Sequence, residues 1–483
     1  MDDSTPLQSE GTAYRTAQVP RLKLLVPLVV ACAMVMESLD QTIITTSIPQ
    51  MAESLGENPL RLNVAITSYL LSLAVFIPVS GWIADRFGAR SVFCTAMAVF
   101  TVGSALCGAA NSLSMLVLMR ILQGVGGALM TPVGRLVLLK SFPKSELVTA
   151  MSYVAIPALV GPAVGPLLGG FLTTYTSWRW IFYVNVPVGI VGILLGFRYF
   201  ENFRADSTSR FDFFGFILCG IGLATAEVGL EFTGRHLISG LAEGAIWAVS
   251  VLSLAAYGFY ARRTPNPAVD LKIFRIKTFR LGVLAGSICR IGLASTSFLI
   301  PLLLQIPFGF SAFKSGLVTS VLAIGAITMR LVSPPLLRKL GFRHILLGNG
   351  LITSAMMLAL ALVTYGAPVV VILCGLFLLG FFRALQFTCM NTLGYSDLVG
   401  HEISPGSSLS SVAQQLSMSF GVTISATLLA LITAPAPLPS AADFRPVLFI
   451  MAVFPLISAL WFARLRPEDG SQVTGYRPRR PGG

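Results

Sequence analysis

The feature that most constrains this sequence is a series of about fourteen apolar runs, each long enough to cross a lipid bilayer as a helix. A bilayer core about 30 Å thick takes roughly 20 apolar residues per helix, and lipid offers no hydrogen-bond partner to an open backbone. Of the 483 residues, 54% are hydrophobic and 11% are charged, against about 25% charged residues in soluble domains. The chain is therefore predicted to be an all-α membrane protein. The predicted spans 1 to 14 cover residues 24–50, 62–83, 91–110, 113–137, 147–172, 179–198, 211–232, 241–261, 279–305, 313–337, 344–364, 368–393, 405–432 and 446–464.

The lysine and arginine residues are distributed unequally between the two sides on which these spans end. If the spans alternate in direction, one side carries 24 of them, including those of both termini, and the other carries five. We call these the basic side and the opposite side. Because basic loops stay in the cytoplasm during insertion, both termini of this multi-pass membrane protein are predicted to be cytoplasmic. The net charge of +13 thus reflects topology and does not predict nucleic-acid binding, which needs a polar basic face.

Two short matches indicate an internal repeat. The loops at 85–90 and 338–343 both place Gly-x-Arg after a basic residue, and the segments 120–123 and 383–386 both read Arg-x-x-Gln. Together they equate spans 1–6 with spans 9–14 and leave spans 7 and 8 as an inserted pair. The predicted units are an N-terminal tail (1–22), a first six-helix bundle (23–200), the inserted pair (201–262), a second bundle (263–466) and a C-terminal tail (467–483).

Four motifs carry a resemblance to a known family. They are the loop 81–90 (GWIADRFGAR), residues 116–128 of span 4, the pattern Gly161-x3-Gly165-Pro166-x2-Gly169-Gly170 in span 5, and residues 39–49 (LDQTIITTSIP) in span 1. With these motifs the chain resembles, over nearly its whole length, the fourteen-span drug:proton antiporter branch of the major facilitator superfamily. Thr45 departs from the pattern, since the family commonly has asparagine at that position.

The resemblance implies two six-helix bundles plus two inserted spans, and export of small molecules in exchange for protons by alternating access. It also implies a monomer that lies in the lipid bilayer and uses no cofactor. A conformational latch is implied for Gly81, Asp85, Arg86, Gly88 and Arg90. An exporter-specific helix is implied for Gly161, Gly165, Pro166, Gly169 and Gly170. Arg120 is implied to take part in proton transfer.

Acidic residues inside the spans are the natural carriers of a coupling proton, because an ionisable group in lipid is costly unless it has a function or a partner. Glu37 and Asp40 lie three residues apart on one face of span 1. We expect Asp40 to carry the proton, with Glu37 as second candidate. The alternative is a structural role, in which Asp40 bonds the backbone or an arginine. Glu227 and Glu231 lie in span 7, outside the repeat, and are expected to be peripheral.

Three arginines are predicted to line a substrate cavity, together with three glutamines. They are Arg290, Arg330, Arg383, Gln123, Gln386 and Gln414. Because arginine matches carboxylates and phosphates, the cargo could be an organic anion or a metal chelate such as citrate. The arginines could instead bond backbone carbonyls or pair with Glu37 and Asp40. A facilitator of the same fold without proton coupling is a further alternative.

Other function classes lack sequence support. There is no HExxH, GxSxG or Walker A pattern, and the seven cysteines lie inside apolar runs with no CxxC pair. No repeated filter or ring of charges indicates a channel. We therefore expect neither an enzyme nor a metal site.

Overall fold

A computed structural model describes residues 22–142, 147–204, 211–233, 239–363, 367–399, 402–434, 436 and 438–474. Within these ranges every regular element is helical. Of the predicted tails, residues 1–21 and 475–483 lie outside the described residues.

Thirteen helices are long and apolar enough to cross a membrane, and the 29-residue helix Leu147–Tyr175 lies between the fourth and fifth of them. The predicted all-α membrane fold with about fourteen spans is confirmed. Spans 1 to 14 are Leu25–Thr46, Pro59–Phe87, Ala89–Gly108, Leu113–Ser141, Leu147–Tyr175, Trp180–Tyr199, Phe213–Phe232, Gly240–Arg263, Lys277–Gln305, Ala312–Ser333, Pro335–Ala361, Val369–Tyr395, Ile403–Thr433 and Ala441–Phe462.

Polar side chains fix where several spans begin. The hydroxyls of Ser112, Ser239 and Ser311 each accept a hydrogen bond from a backbone N–H in the first turn of spans 4, 8 and 10. Ser440 and Asp443 form a reciprocal capping box at the start of span 14. Such caps satisfy backbone donors that a helix leaves unpaired, and each contributes about 1 kcal/mol.

The repeated loops share one backbone feature. Gly88, after span 2, has φ 94°, and Gly341, at the equivalent position of the other loop, has φ 70°. Glycine adopts this left-handed region without the steric clash that a Cβ would cause. Spans 10 and 11 belong to one helical run, Ala312–Ala361, and Gly341, which lies inside the bounds given for span 11, kinks that run. The second half therefore turns at the same repeated glycine as the first.

The two halves of the chain meet along two seams. Span 2 packs on span 13 in the first seam, and span 5 packs on span 10 in the second seam. Since the repeat equates span 2 with span 10 and span 5 with span 13, the two seams are equivalent under one pseudo-two-fold axis. Inserted span 7 packs on spans 2 and 13, so the inserted pair lies against the first seam.

Candidate functional site

A buried ion pair links spans 1 and 4. Asp40 and Arg120 are both fully buried, and Arg120 Nη1 lies 2.5 Å from Asp40 Oδ2. Gln123, one turn after Arg120, donates to Asp40 Oδ1 at 2.8 Å and accepts from Arg120 Nη1 at 2.7 Å. Both oxygens of Asp40 thus have a donor, and both charges are balanced within the first half.

Neighbouring groups hold the Arg120 guanidinium in place. Its Nε donates to the backbone oxygen of Ala65 in span 2 at 2.8 Å, and its Cζ lies 4.2 Å from the centre of the Tyr69 ring. Gly124 lets span 2 approach, because a Cβ there would overlap Ser72 and the backbone of Tyr69. The close approach of spans 2 and 4 therefore brings a carbonyl and an aromatic face to Arg120, which together with Asp40 compensate a cation in the membrane.

Glu37 has a different environment from Asp40, although it is one turn away. It is partly exposed, and it accepts hydrogen bonds from Thr131 of span 4 and, at 3.4 Å, from Gln41. No arginine or lysine among the described residues forms an ion pair with it within 4 Å, although Arg135 lies near enough to act on its charge. Glu37 is thus accessible and only weakly compensated, whereas Asp40 is enclosed and paired.

A cavity of about 300 Å³ lies between the two halves. Its walls come from spans 1, 2, 5, 9, 10, 12 and 13, and most of them are apolar, including Phe298 and Phe387. The polar lining residues are Gln41, Thr42, Thr45, Thr296, Ser297, Thr319 and Arg383. Gln41 follows Asp40 directly in the chain, so the helix that carries Asp40 also forms part of the cavity wall.

Arg383 is the predicted cavity residue that lines this space. Its Nη1 donates to Ser297 at 3.0 Å and to Thr296 at 3.4 Å, and its Cζ lies 5.7 Å from the centre of the Phe387 ring. Among the described residues no carboxylate lies within ion-pair distance of it. The cavity wall therefore contains a cation whose described contacts are hydroxyls and an aromatic ring, with no carboxylate as counter-charge.

The other five predicted cavity residues lie elsewhere in this conformation. Gln123 holds Asp40, and Gln386 is buried against Asn349 at 2.7 Å. Arg290 is buried beside Asn391, which accepts from its Nη2 at 2.5 Å, and its Nε and Nη1 have no partner among the described residues. Arg330 is exposed and Gln414 is partly exposed, and neither lines the cavity. Periodicity places residues on a helix but does not say which helix covers each face.

The span 5 glycines form two helix contacts. A Cβ at Gly161, Gly165 or Gly169 would overlap span 1, at Ser38, Thr42 and the backbone of Ile43 respectively. A Cβ at Gly170 would overlap the backbone of span 10 at Ala312, and one at Gly316 would overlap the Pro166 carbonyl. The motif thus packs span 5 against both span 1 and span 10 of the second seam.

The predicted latch loop packs on the segment that follows span 6. Ala89 N donates to Phe203 O at 2.9 Å, and a Cβ at Gly88 would overlap the Asn202 side chain. Arg86 lies over the Trp82 ring, with Cζ 5.6 Å from its centre, while Asp85 forms no ion pair with a described residue. Gly81 makes no close helix contact in this conformation, since no described atom lies within 4 Å of a Cβ built there. Arg90 is half-buried, and its Nε has no described partner.

Sequence reasoning missed two groups of residues. Glu227, expected to be peripheral, is 5% exposed and accepts a hydrogen bond from Thr423 of span 13. At the opposite side, Gln50 and Gln305 join the two halves at 3.2 Å. Their positions at the ends of spans 1 and 9 gave a weak signal, since polar residues are common at span ends.

Comparison with known proteins agrees with this architecture. Residues 30–422 match the model of the Major Facilitator Superfamily. The chain is 42% identical over 408 residues to the putative multidrug resistance protein MdtD of Shigella flexneri, covering 83% of this chain and 85% of that protein. It is 40% identical over 463 residues to MdtD of Klebsiella pneumoniae, covering 94% and 97%.

Solved transporter structures share the fold. A D-xylose-proton symporter superposes with a TM-score of 0.66 at 14% identity, covering 92% of this chain and 98% of its own. An auto-inhibited peptide transporter of the POT family superposes with a TM-score of 0.66 at 16% identity, covering 95% and 99%. The family match, the MdtD relatives and the paired six-helix halves lead to one conclusion: this chain is a membrane transporter that belongs to the major facilitator superfamily.

Proposed function

We propose that this chain exports small molecules across the bacterial inner membrane in exchange for protons, by alternating access to the central cavity. The observation that carries the proposal is Asp40, a fully buried carboxyl group on the helix whose Gln41, Thr42 and Thr45 line the cavity. The names of the MdtD relatives support small-molecule efflux as the direction of transport. The unequal distribution of lysine and arginine supports cytoplasmic termini.

The contacts between the halves support a conformation closed on the opposite side, which faces the exterior in this orientation. Gln50 donates to Gln305, and Gln305 donates to the Thr46 carbonyl at 3.0 Å. In the second seam, Phe313 N donates to Thr174 Oγ1 at 3.0 Å. All of these residues lie where spans 1, 5 and 9 end and span 10 begins, on the opposite side.

Asp40 couples proton and substrate through span 1. Paired with Arg120, it is charge-balanced as a carboxylate, as expected after release of a proton to the cytoplasm. When Asp40 takes up a proton, Arg120 loses its counter-charge and the bond between spans 1 and 4 weakens. Since Gln41 and Thr45 of the same helix line the cavity, this change reaches the substrate. Proton and substrate then act on one helix with a reciprocal coupling free energy. Glu37, which is partly exposed, can pass the proton between water and Asp40.

This coupling is tested by uptake of tetraphenylphosphonium into inverted vesicles with an acidic lumen. We expect Asp40→Asn to abolish uptake that depends on the pH gradient. Glu57→Gln is the matched control, because Glu57 forms an ion pair with Arg61 in which the arginine is half-exposed, and such pairs contribute about 1 kcal/mol or less. Uptake by Asp40→Asn at the wild-type rate would exclude Asp40 as proton carrier. Wild-type uptake that persists after the gradient is collapsed would indicate a facilitator.

Alternating access is tested at the opposite side, where Gln50 and Gln305 meet. In the Gln50→Cys/Gln305→Cys double variant, a short thiol cross-linker should stop transport, because the exterior side can no longer open. A reducible linker should restore transport on reduction, and each single variant should be unaffected. Full transport by the cross-linked protein would contradict the proposed closure.

A second candidate substrate is an organic anion, because Arg383 lines the cavity without a carboxylate partner. Such a cavity offers guanidinium N–H donors and apolar walls to a carboxylate or a metal chelate. Citrate uptake in the same vesicles, lost in Arg383→Gln and retained in Arg330→Gln, would support it. Citrate uptake indistinguishable from that of empty vesicles would reject it.

The loop 81–90 is proposed to act as the latch of the outward-facing state. Asp85 has no described ion-pair partner in this conformation and is partly exposed, so it is available to bind an arginine of the second half when the cytoplasmic side closes. The bundles at 23–200 and 263–466 are proposed to rock against each other, with the pair at 201–262 attached at the first seam.

A further inference from the structure

One face of inserted span 7 meets both halves of the transporter in its last two turns. Glu227 accepts a hydrogen bond from Thr423 of span 13, and the Leu230 carbonyl accepts one from Thr427 at 3.4 Å. Glu231 accepts from Asn63 of span 2 at 2.7 Å. Span 7 therefore bridges spans 2 and 13 where the first seam approaches the opposite side.

Glu227 is buried in this seam with no cation to balance a charge. It is 5% exposed, and no lysine or arginine among the described residues lies within ion-pair distance. Span 13 contains no titratable side chain. The titratable and charged side chains on the other packed elements are Arg61, Tyr69, Asp85 and Arg86 on span 2, Glu243, Tyr257, Tyr260, Arg262 and Arg263 on span 8, and Cys219 and Glu231 on span 7 itself. Of these, Arg61 is bound to Glu57 at 2.7 Å.

The hydrogen bonds around Glu227 are incomplete. Its Oε1 has the Thr423 hydroxyl, but its Oε2 is buried and has no partner among the described residues. The buried Oδ1 of Asn63 also lacks a partner. A buried carboxylate with one satisfied oxygen and no counter-charge is costly, and addition of a proton removes the charge. Thr423 donates a hydroxyl but supplies no positive charge that could balance a carboxylate.

We propose that Glu227 is a second proton-binding site, and that a bound proton holds the first seam closed toward the exterior. When spans 2 and 13 separate on that side, water reaches Glu227 and stabilises its carboxylate form by hydration. The proton therefore binds more tightly to the closed state than to the open one, and its release favours opening. This site rests on the proposed alternating access but is separate from Asp40, which lies in the first half.

The closing of the seam around Glu227 also involves a direct contact between the halves. Ser419 of span 13 donates to the Thr67 carbonyl of span 2 at 3.4 Å. Asn63 and Thr67 thus lie on span 2, which must separate from span 13, and Glu227 lies on span 7, which packs on both of these helices. The inserted pair gives a pH-dependent contact to one seam only.

The test measures opening from the exterior without measuring transport. In a background without native cysteines, Gln50→Cys is labelled from outside by a membrane-impermeant maleimide at a series of external pH values, and the rates are corrected for the pH dependence of thiol reactivity on a model thiol. Labelling should rise with pH, by at most about tenfold per unit, the limit for one linked proton. Glu227→Gln should remove this slope and label slowly throughout, Glu227→Asp should restore it, and Glu243→Gln on span 8 should keep it.

Two outcomes would overturn the proposal. One is a corrected rate in the otherwise unsubstituted background that does not change with pH, and the other is a slope in Glu227→Gln equal to that of the background. If Glu227→Gln does not fold, Thr423→Val is used in its place. Loss of the hydroxyl donor should shift the pH at which the labelling rate is half-way through its change. An unshifted pH would contradict the proposed site. Asp40→Asn should keep the rise of the labelling rate with pH. The test of Glu227 can therefore be read even if the proposed role of Asp40 in antiport is wrong.

Discussion

The ion pair between Asp40 and Arg120 allows a quantitative test of the charge state of Asp40. Removing one partner of a buried ion pair destabilises a protein by about 3–5 kcal/mol, because the other charge is left uncompensated. After Asp40→Asn, Arg120 keeps the Ala65 carbonyl, the Gln123 amide oxygen and the Tyr69 ring. Because of these remaining contacts, we expect Asp40→Asn to lower the free energy of unfolding by about 3 kcal/mol, the lower end of that range. The double variant Asp40→Asn/Arg120→Met should lose less than the sum of the single variants, with a coupling of about 2 kcal/mol.

The assay is unfolding in mixed micelles of dodecylmaltoside and increasing dodecyl sulfate, followed by the fluorescence of the five tryptophans. Glu37→Gln is the matched control on the same helix. Because the partners of Glu37 are a hydroxyl and an amide, this substitution should lower the free energy of unfolding by about 1 kcal/mol or less. If Asp40→Asn loses no more than Glu37→Gln, Asp40 is uncharged in this conformation, and the charge-balanced pair proposed above is refuted.

Three further variants test the packing and the cavity. Gly165→Ala should reduce both folding and transport because its Cβ would overlap Thr42, and the added Thr42→Ala should restore folding, measured as monodisperse protein on size exclusion. Ser297→Asp should place a carboxylate beside Arg383, so uptake of an anion should fall while uptake of a lipophilic cation is kept. Gly88→Ala should lower transport by at least tenfold, because residue 88 has φ 94° and a Cβ there overlaps the segment after span 6; an unchanged rate would show that the loop does not need this conformation.

Much of the fold could be predicted from the sequence because the bilayer limits the alternatives. Apolar runs of sufficient length must be helices, and the predicted limits agree with the fourteen spans to within five residues, except that span 11 begins at Pro335 and not at residue 344. The repeat was visible as Gly-x-Arg in two loops because the left-handed φ at Gly88 and Gly341 requires glycine. The inserted pair was recognised as extra to the repeat, but nothing in the sequence says which seam it contacts.

The site was less predictable, because its chemistry depends on which helices face each other. The sequence left open whether Asp40 has an arginine partner, and the structure places Arg120 there, 80 residues away. It also could not separate Arg383, in the cavity wall, from Arg330, which is exposed. Glu227 was assigned to the periphery because span 7 lies outside the repeat. Its burial depends on a contact with Thr423, almost 200 residues later in the chain.

The two repeated arginines show how one helical scaffold yields two different functions. Arg120 and Arg383 occupy equivalent positions in spans 4 and 12, and each is followed by glutamine three residues later. Arg120 pairs with Asp40 inside its own half, so in the proposed antiport it loses its counter-charge only when Asp40 binds a proton. Arg383 contacts the hydroxyls of Thr296 and Ser297 instead, and its charge is left for whatever occupies the cavity. The symmetric fold therefore separates a buried ion pair in the first half, the proposed proton-binding centre, from a charge in the cavity wall of the second. A helix that carries both Asp40 and cavity-lining residues is what connects them.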